Sequence, residues 1–241
     1  MKPAVIMMVR DEADILAKCL AHWQSLGVYD FYICDNGSVD GTAKILKRFK
    51  DAGGANVNLS TDTRTNWPGR EVINGLKGKA IEDGCDFIFP ADADEFLQID
   101  RYGSGLEMIN ELGCASGWGE LPYLNILPDG SSHWQRPHKK AFGFILKGQS
   151  ISMGNHLIEG VNPTIVDHFC YYKHYSLRSY AQFKRKMENY MTAFSQSSFD
   201  DHHHSIDFKQ WKIEGEPFLK RKWAKLTNTE TEEEFEAPKW L

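Results

Sequence analysis

Residues 87–97 read FIFPADADEFL. An apolar run stops at Pro90, and Asp92 and Asp94 follow two positions apart, with Glu95 beside them. Carboxylates this close repel, and one of them is driven to protonate unless a cation sits among them. A hard divalent metal, which takes carboxylate oxygens, is the simplest remedy. Asp-x-Asp at the carboxyl end of a buried strand is also where open α/β sheets hold their ligands. A solvated acidic turn is the plain alternative for so short a motif. The neighbouring sequence decides between the two.

Upstream, AVIMMV (4–9) is a continuous apolar run ending at Arg10, as expected of a strand buried on both faces. Asp11 is placed to cap a helix, with Glu12 and Asp14 in its first turn. Ile15, Leu16, Cys19, Leu20 and Trp23 then recur at helical spacing up to Gly27. VYDFYIC (28–34) reads as a second strand ending in the turn cluster Asp35-Asn36-Gly37-Ser38. A second helix carries Ile45, Leu46 and Phe49, a third strand covers about 56–60, and a third helix about 70–83. Four alternating strand–helix units predict a parallel sheet with helices on both faces. Right-handed crossovers then bring Arg10-Asp11, Asp35-Asn36, the loop after Ser60 and Asp92-Asp94 to one rim.

Beyond residue 100 the pattern becomes mixed. A helix-like segment at 105–112 precedes the strand-like WGELPYLNI and AFGFIL, and 164–172 look like another strand. SYAQFKRKMENYM predicts a helix whose apolar face holds Tyr180, Phe183, Met187 and Tyr190 or Met191. With no internal repeat or flexible linker, residues 1–225 read as one domain. Residues 226–241, ending TNTETEEEFEAPKWL, read as an acidic mobile tail.

The 241 residues are 41% hydrophobic and 25% charged, enough for one good core. A formal net charge of -5 argues against a general nucleic-acid binder. Five cysteines without a CxxC pair suit buried thiols of a reducing compartment, not a zinc site or disulfide frame. No stretch approaches the roughly 20 apolar residues of a membrane span. The start, MKPAVIMMVRDEAD, has too short an apolar run for a signal peptide. The expectation is a cytoplasmic protein, working in solution or at the inner face of the membrane.

The ordered motifs RDEADILAKCLAHWQSLGVYDFYICDNGSVDGT and PADADEFL closely resemble the start of a family 2-like glycosyltransferase with the GT-A fold. The branch resembled is bacterial and related to family 92. The resemblance is strong over residues 4–97, moderate at 139–156 and 168–186, and absent from the tail. It implies a Rossmann-like single domain that binds a nucleotide-diphospho-sugar, a UDP-sugar first, and moves the sugar to an acceptor hydroxyl. On that resemblance Arg10 and Glu12 lie beside the base and ribose, and Asp35 and Asn36 contact the base or ribose. Asp92 faces the ribose or sugar and shares the metal, and Asp94 binds Mn²⁺ or Mg²⁺ held by the diphosphate. The family usually has Asn where this chain has Asp11, so Asp11 stays off this set. Taken on turn chemistry alone, Asp35 can equally make an Asx turn with Asn36-Gly37.

KAFGFILKGQSISMGNH and DHFCYYKHYSLRSYAQFKRK resemble two later segments of the same branch. The resemblance makes His174 the C-terminal histidine that returns to the metal or diphosphate, and Arg178 a clamp on phosphate oxygens. Lys184 to Lys186 read instead as the solvated face of a helix. Family 2 usually supplies its base from an acidic pair downstream of the metal motif, and this chain has none there. His156, Glu159, Glu120 and Asp167 remain, with His156 preferred for its pKa range and position. Glu120 could instead bind an acceptor sugar. His202-His203-His204 are read as a surface loop, because three adjacent side chains cannot all face one ion.

The function implied is a metal-dependent, inverting glycosyltransferase acting on a glycan or glycolipid acceptor. Two alternatives stand beside it. One is a nucleotide-sugar-binding protein without transferase activity. The other is a nucleotidyltransferase, which would want a Gly-rich loop where this chain has RDEAD.

Overall fold

The computed structural model describes residues 1–64, 66, 68–99, 107, 117–145, 147–163, 170–195 and 203–227. The chain divides into two compact units, Met1–Asn125 with Ser132–Tyr175, and Ile126–Ser131 with Ser176–Leu241.

The first unit opens with the expected alternation: β1 (Pro3–Val9), α1 (Leu16–Ser25), β2 (Asp30–Asp35), α2 (Thr42–Asp51), β3 (Asn56–Thr61), α3 (Gly69–Glu82) and β4 (Phe87–Pro90). These four strands are mutually parallel, with β1 between β2 and β4, and β3 outside β2. β5 (Glu95–Ile99), β6 (Trp118–Ile126), β7 (Ser132–Gly143) and β8 (Cys170–His174) complete one eight-stranded sheet in the order β3-β2-β1-β4-β7-β6-β8-β5. β7 runs antiparallel to β4, β5 antiparallel to β8, and β6 parallel to β8. The α/β fold with a largely parallel sheet and a mixed second half is therefore as expected.

The sequence shows why the sheet is two-sided. Val5, Met7 and Val9 of β1 face a core with Leu16, Cys19, Leu20 and Trp23 of α1 and Leu46 of α2. Ala4 and Ile6 face a second core with Ile73, Leu76 and Ala80 of α3. Successive strand residues point to opposite faces, so a strand covered on both must be apolar throughout. β3 is half-exposed along its length, and as an edge strand it tolerates the polar NVNLST.

The second unit contains α4 (Tyr180–Ser195), α5 (His203–Glu214) and α6 (Glu216–Thr227). Phe183, Met187, Phe218 and Leu219 form its core, with Tyr180, Tyr190, Trp211 and Trp223 against them. The apolar face expected of α4 is the one buried. Lys184 pairs with Glu216 at 2.9 Å, and Arg221 with Glu214.

Three local expectations change. Asp11 does not cap α1, which starts at Leu16 after an uncapped Ile15; its backbone sits at φ 56°, outside any helix. His203 and His204 begin α5 instead of lying in a loop. Leu226 and Thr227, expected to open the tail, are instead the last two residues of α6. Most of the 105–112 helix, residues 164–169 including Asp167, His202 and residues 228–241 lie outside the described residues.

Trp23 is fully buried, with its ring 5.0 Å from Phe89 and 6.4 Å from Tyr172. Trp23→Ala should lower unfolding free energy by about 3–5 kcal/mol, read as a reduced urea midpoint.

Candidate active site

The carboxyl ends of β1, β2 and β3 meet through one residue, Asn36. The backbone N–H of Asn36 donates to Val9 O at 2.8 Å. Its Nδ2 donates to Asp62 O at 2.7 Å and to Arg64 O at 2.9 Å. Asn36 thus joins three strand ends, and its amide donors face the framework. Asp35 Oδ1 accepts from Ser38 N at 2.9 Å, three residues on and one beyond the span of an Asx turn. Asp11 N donates to Ser38 Oγ at 3.0 Å, and Asp11 Oδ1 accepts from Val39 N at 2.8 Å. Asp40 closes the same interlock by accepting from Ala13 N at 3.1 Å and Thr42 N at 2.8 Å. An acidic side chain at a left-handed residue, here Asp11, costs less than most and can bond locally. Sequence reasoning left Asp11 and Asp40 off the site, although the DNGSVDGT turn contained the signal.

Arg10 follows β1 directly, and its Nε is buried with no hydrogen-bond partner among the described residues. Glu12 N donates to Thr42 Oγ1 at 2.9 Å, and Glu12 O accepts from Ile15 and Leu16 at the start of α1. These residues occupy the expected rim.

The acidic cluster spans the turn from β4 to β5 and faces the end of β8. Register sets Asn125 of β6, His174 of β8 and Glu95 of β5 in one row across three neighbouring strands. Asp94, in the turn after β4, is 3% exposed, and Glu95 1%. Ligand-type atoms of Asp94, Glu95 and His174 all lie within 4.8 Å of one another. His174 Nδ1 lies 2.8 Å from Asn125 Oδ1, which can only accept, so Nδ1 donates. That tautomer leaves Nε2 with its lone pair, 3.8 Å from Asp94 Oδ1. Asn125 Nδ2 in turn meets His133 Nε2 at 3.2 Å. A carbonyl-type acceptor behind a histidine is how proteins orient an imidazole toward a metal.

Asp92 behaves differently from its neighbours. Its Oδ2 accepts from Lys140 Nζ at 2.6 Å, while Lys140 also lies 3.3 Å from Glu95 Oε1. The second Glu95 oxygen accepts from Asp92 N at 2.9 Å. Burial, reinforced by Asp92 and Asp94 against the pull of Lys140, pushes the Glu95 carboxyl up to about 8. Burial alone would lower the Lys140 ammonium, but Asp92 and Glu95 outweigh it and hold it above its ordinary range. Fully ionised, three carboxylates and one ammonium leave two negative charges, the charge of one divalent cation. The donor types also suit one: Asp94 Oδ1 and His174 Nε2, a carboxylate oxygen and an imidazole nitrogen, lie 3.8 Å apart and would hold a divalent ion. Lys140 is the first residue of the KAFGFILKGQSISMGNH segment, but nothing local in that segment marks it as the partner of Asp92 and Glu95.

The three described base candidates separate. His156 ends the 3-10 turn Met153–Asn155. That turn touches Asp92: Asn155 Nδ2 is 3.5 Å from Asp92 Oδ1, and Gly154 O accepts from Lys140 at 3.1 Å. Glu159 pairs with Arg70 at the start of α3, away from this group. Glu120 lies on the face of β6 opposite Tyr123 and Asn125, because adjacent strand residues alternate. Arg178 belongs to the second unit, where its N–H donates to Gln182 Oε1 at 3.3 Å. An open cleft of about 500 Å³ lies beside the rim, lined by Arg64, Asn66, Pro68, Arg70, Glu71, Asn74 and Ser150. None of the acidic cluster lines it, and the convergence of titratable groups is the stronger marker of chemistry.

The sequence model of glycosyl transferase family 2 matches residues 4–181. This chain belongs to glycosyl transferase family 2. Among solved structures it is similar to the mannosyltransferase PcManGT from Pyrobaculum calidifontis, determined in complex with GDP-Man and Mn²⁺. That match has 12% identity and a TM-score of 0.50, and covers 93% of this chain and 73% of the other. It is also similar to S. aureus TarS 1–349, with 14% identity, a TM-score of 0.48, and coverage of 89% and 73%. At these identities the likeness concerns the GT-A fold. No curated protein matches the chain.

The folded chain holds a proton on Glu95 between pH 4.5 and about 8 that the unfolded chain has released. Metal-free stability should therefore fall as pH rises through that window. Glu95→Gln should flatten the fall, measured as thermal unfolding against pH in chelator.

Proposed function

We propose that this family 2 member transfers a sugar from a nucleotide-diphospho-sugar to an acceptor hydroxyl, with inversion and with a divalent ion, Mn²⁺ or Mg²⁺. The observation that carries the reading is the convergence of Asp94, Glu95 and an oriented His174 at the strand ends. The Mn²⁺ and GDP-Man held by the related mannosyltransferase support it by analogy.

Asp94 and His174 would hold the ion, with Glu95 beside them. The ion, when bound, would neutralise charge gathering on the diphosphate as the sugar carbon leaves it. Arg10, Glu12 and Asp35 would line the base and ribose, with Asn36 keeping the three strand ends in register. Asp92, fastened by Lys140, would face the ribose or sugar. In the transfer, the carbon–oxygen bond to the diphosphate breaks as the acceptor oxygen bonds to the opposite face of that carbon. The acceptor proton passes to a base, and the nucleoside diphosphate departs. Of the residues considered, His156 is the one whose turn also contacts Asp92, so we assign it that role. Glu159 is neutralised by Arg70 and Glu120 faces the other side of the sheet, which makes both poorer choices. We keep Arg178 as the candidate phosphate clamp that the family resemblance implies. We take residues 1–225 as the transferase domain and the donor sugar as a hexose. Among the described residues no helix is long and apolar enough to cross a membrane. A glycolipid acceptor would call for work at the inner membrane face.

A thermal-shift panel of UDP and GDP, with and without Mn²⁺, tests the reading. One nucleotide should raise the Tm only with Mn²⁺, and Asp94→Ala should abolish both that rise and transfer. Full transfer by Asp94→Ala would refute the assignment. Donor binding without transfer to any acceptor or water would favour the binding-protein alternative.

His156→Ala should cut kcat by about 10²–10⁴-fold with Mn²⁺ affinity unchanged. Isothermal calorimetry beside steady-state kinetics checks it, and an unchanged kcat would move the base elsewhere.

A further inference from the structure

Lys140 is 1% exposed and stands on β7, two residues before Phe142 and on the same strand face, within the main apolar core. An isolated ammonium there would be strongly disfavoured. Its Nζ instead reaches three oxygens from three parts of the fold. Asp92 Oδ2, at 2.6 Å, belongs to the turn after β4. Glu95 Oε1, at 3.3 Å, belongs to the first residue of β5. Gly154 O, at 3.1 Å, belongs to the 3-10 turn.

Each of these partners is held a second time. Glu95 Oε2 accepts from Asp92 N at 2.9 Å, so both Glu95 oxygens are engaged within the same small group. Asp92 Oδ1 faces Asn155 Nδ2 at 3.5 Å. The turn itself is tightly specified. Gly154 and Asn155 are both left-handed, with φ of 75° and 62°. A Cβ at Gly154 would come within 2.6 Å of His156 Nε2, so the imidazole occupies the room that glycine leaves. Asn74 ties the segment to α3 by accepting from Ile151 N and donating to Ile151 O, each at 2.9 Å. The buried Lys77 donates to Lys147 O and Gln149 O.

The outcome is a division among three neighbouring carboxylates. Asp92 and Glu95 turn toward Lys140, while Asp94 turns toward His174. We propose that Lys140 is a positioning residue, an internal counter-cation that holds Asp92 and Glu95 apart from the Asp94–His174 pair, where a divalent ion would bind, and fastens the turn carrying His156. The metal part of this inference rests on the function proposed above; the charge pairing stands without it.

A structural lysine and a positioning lysine differ in sign. Removing a cation from beside the acids should strengthen cation binding, because Asp92 and Glu95 lose their competing partner. The same change should slow transfer, because Asp92 and the His156 turn lose their anchor. General damage to the fold would weaken both.

The experiment compares the full chain with Lys140→Met, Glu95→Gln and the double variant. In chelator, Lys140→Met should lower the Tm most, and adding Glu95→Gln should recover part of the loss, because it removes a buried carboxyl that, without Lys140, stays folded only by holding a proton. Simple additivity of the two losses would overturn the proposal. By calorimetry, Lys140→Met should bind Mn²⁺ about tenfold more tightly while its kcat falls, and the double variant should return toward wild-type affinity. A folded Lys140→Met with unchanged or weaker Mn²⁺ affinity would overturn it. If Lys140→Met is recovered unfolded, a folded double variant supports the pairing and an unfolded one refutes it. A wild-type chain that binds no Mn²⁺ defeats the metal-dependent function alone, and Lys140 is then judged by the metal-free coupling.

Discussion

Charge buried without a partner is too costly to persist, and the central feature of this molecule is a set of carboxylates taken almost wholly out of water. Asp94 and Glu95 are less exposed than many leucines in the same fold. They are compensated from one side by Lys140, from another by backbone N–H donation, and from a third by a histidine oriented through Asn125. Lys140 comes from β7, the N–H from Asp92 in the turn after β4, and the histidine from β8. The order β4-β7-β6-β8-β5 is therefore also the arrangement that assembles the site.

The same economy of placement runs along the rim. Parallel strands covered on both faces have no room for polar side chains except at their ends. The ends of β1, β2 and β3 accordingly hold Arg10 to Glu12, Asp35 to Ser38, and Asp62 to Arg64, knotted together by Asn36, Asp11 and Asp40. The two non-glycine residues with left-handed backbone among those described, Asp11 and Asn155, each border this machinery. Strain of that kind persists only where surrounding contacts over-determine it, as the hydrogen bonds of Asp11 do.

Much of this was legible in the sequence because it is periodic or local. AVIMMV and FIFP are buried strands by their continuous apolar runs, and the rim follows from parallel connectivity. The acids of 92–95 were visible as a cluster, but their division of labour was not, because it depends on a lysine 48 positions after Asp92, in β7. His174 entered by resemblance, and its orientation by Asn125 depends on β6–β8 register, which no local pattern encodes. Asp11 looked like a helix cap because one-dimensional cap chemistry and a left-handed loop residue share the same side chain. Glu120 was plausible by residue type, and alternation along β6 turned it to the far face.

The most direct test of the account is anomalous diffraction from crystals soaked in Mn²⁺ with the nucleoside diphosphate that shifts the Tm. The account predicts a single strong peak within about 2.3 Å of an Asp94 carboxylate oxygen and His174 Nε2, with Lys140 still on Asp92. A peak bound elsewhere, or ordered nucleotide diphosphate with no peak beside Asp94, would contradict it.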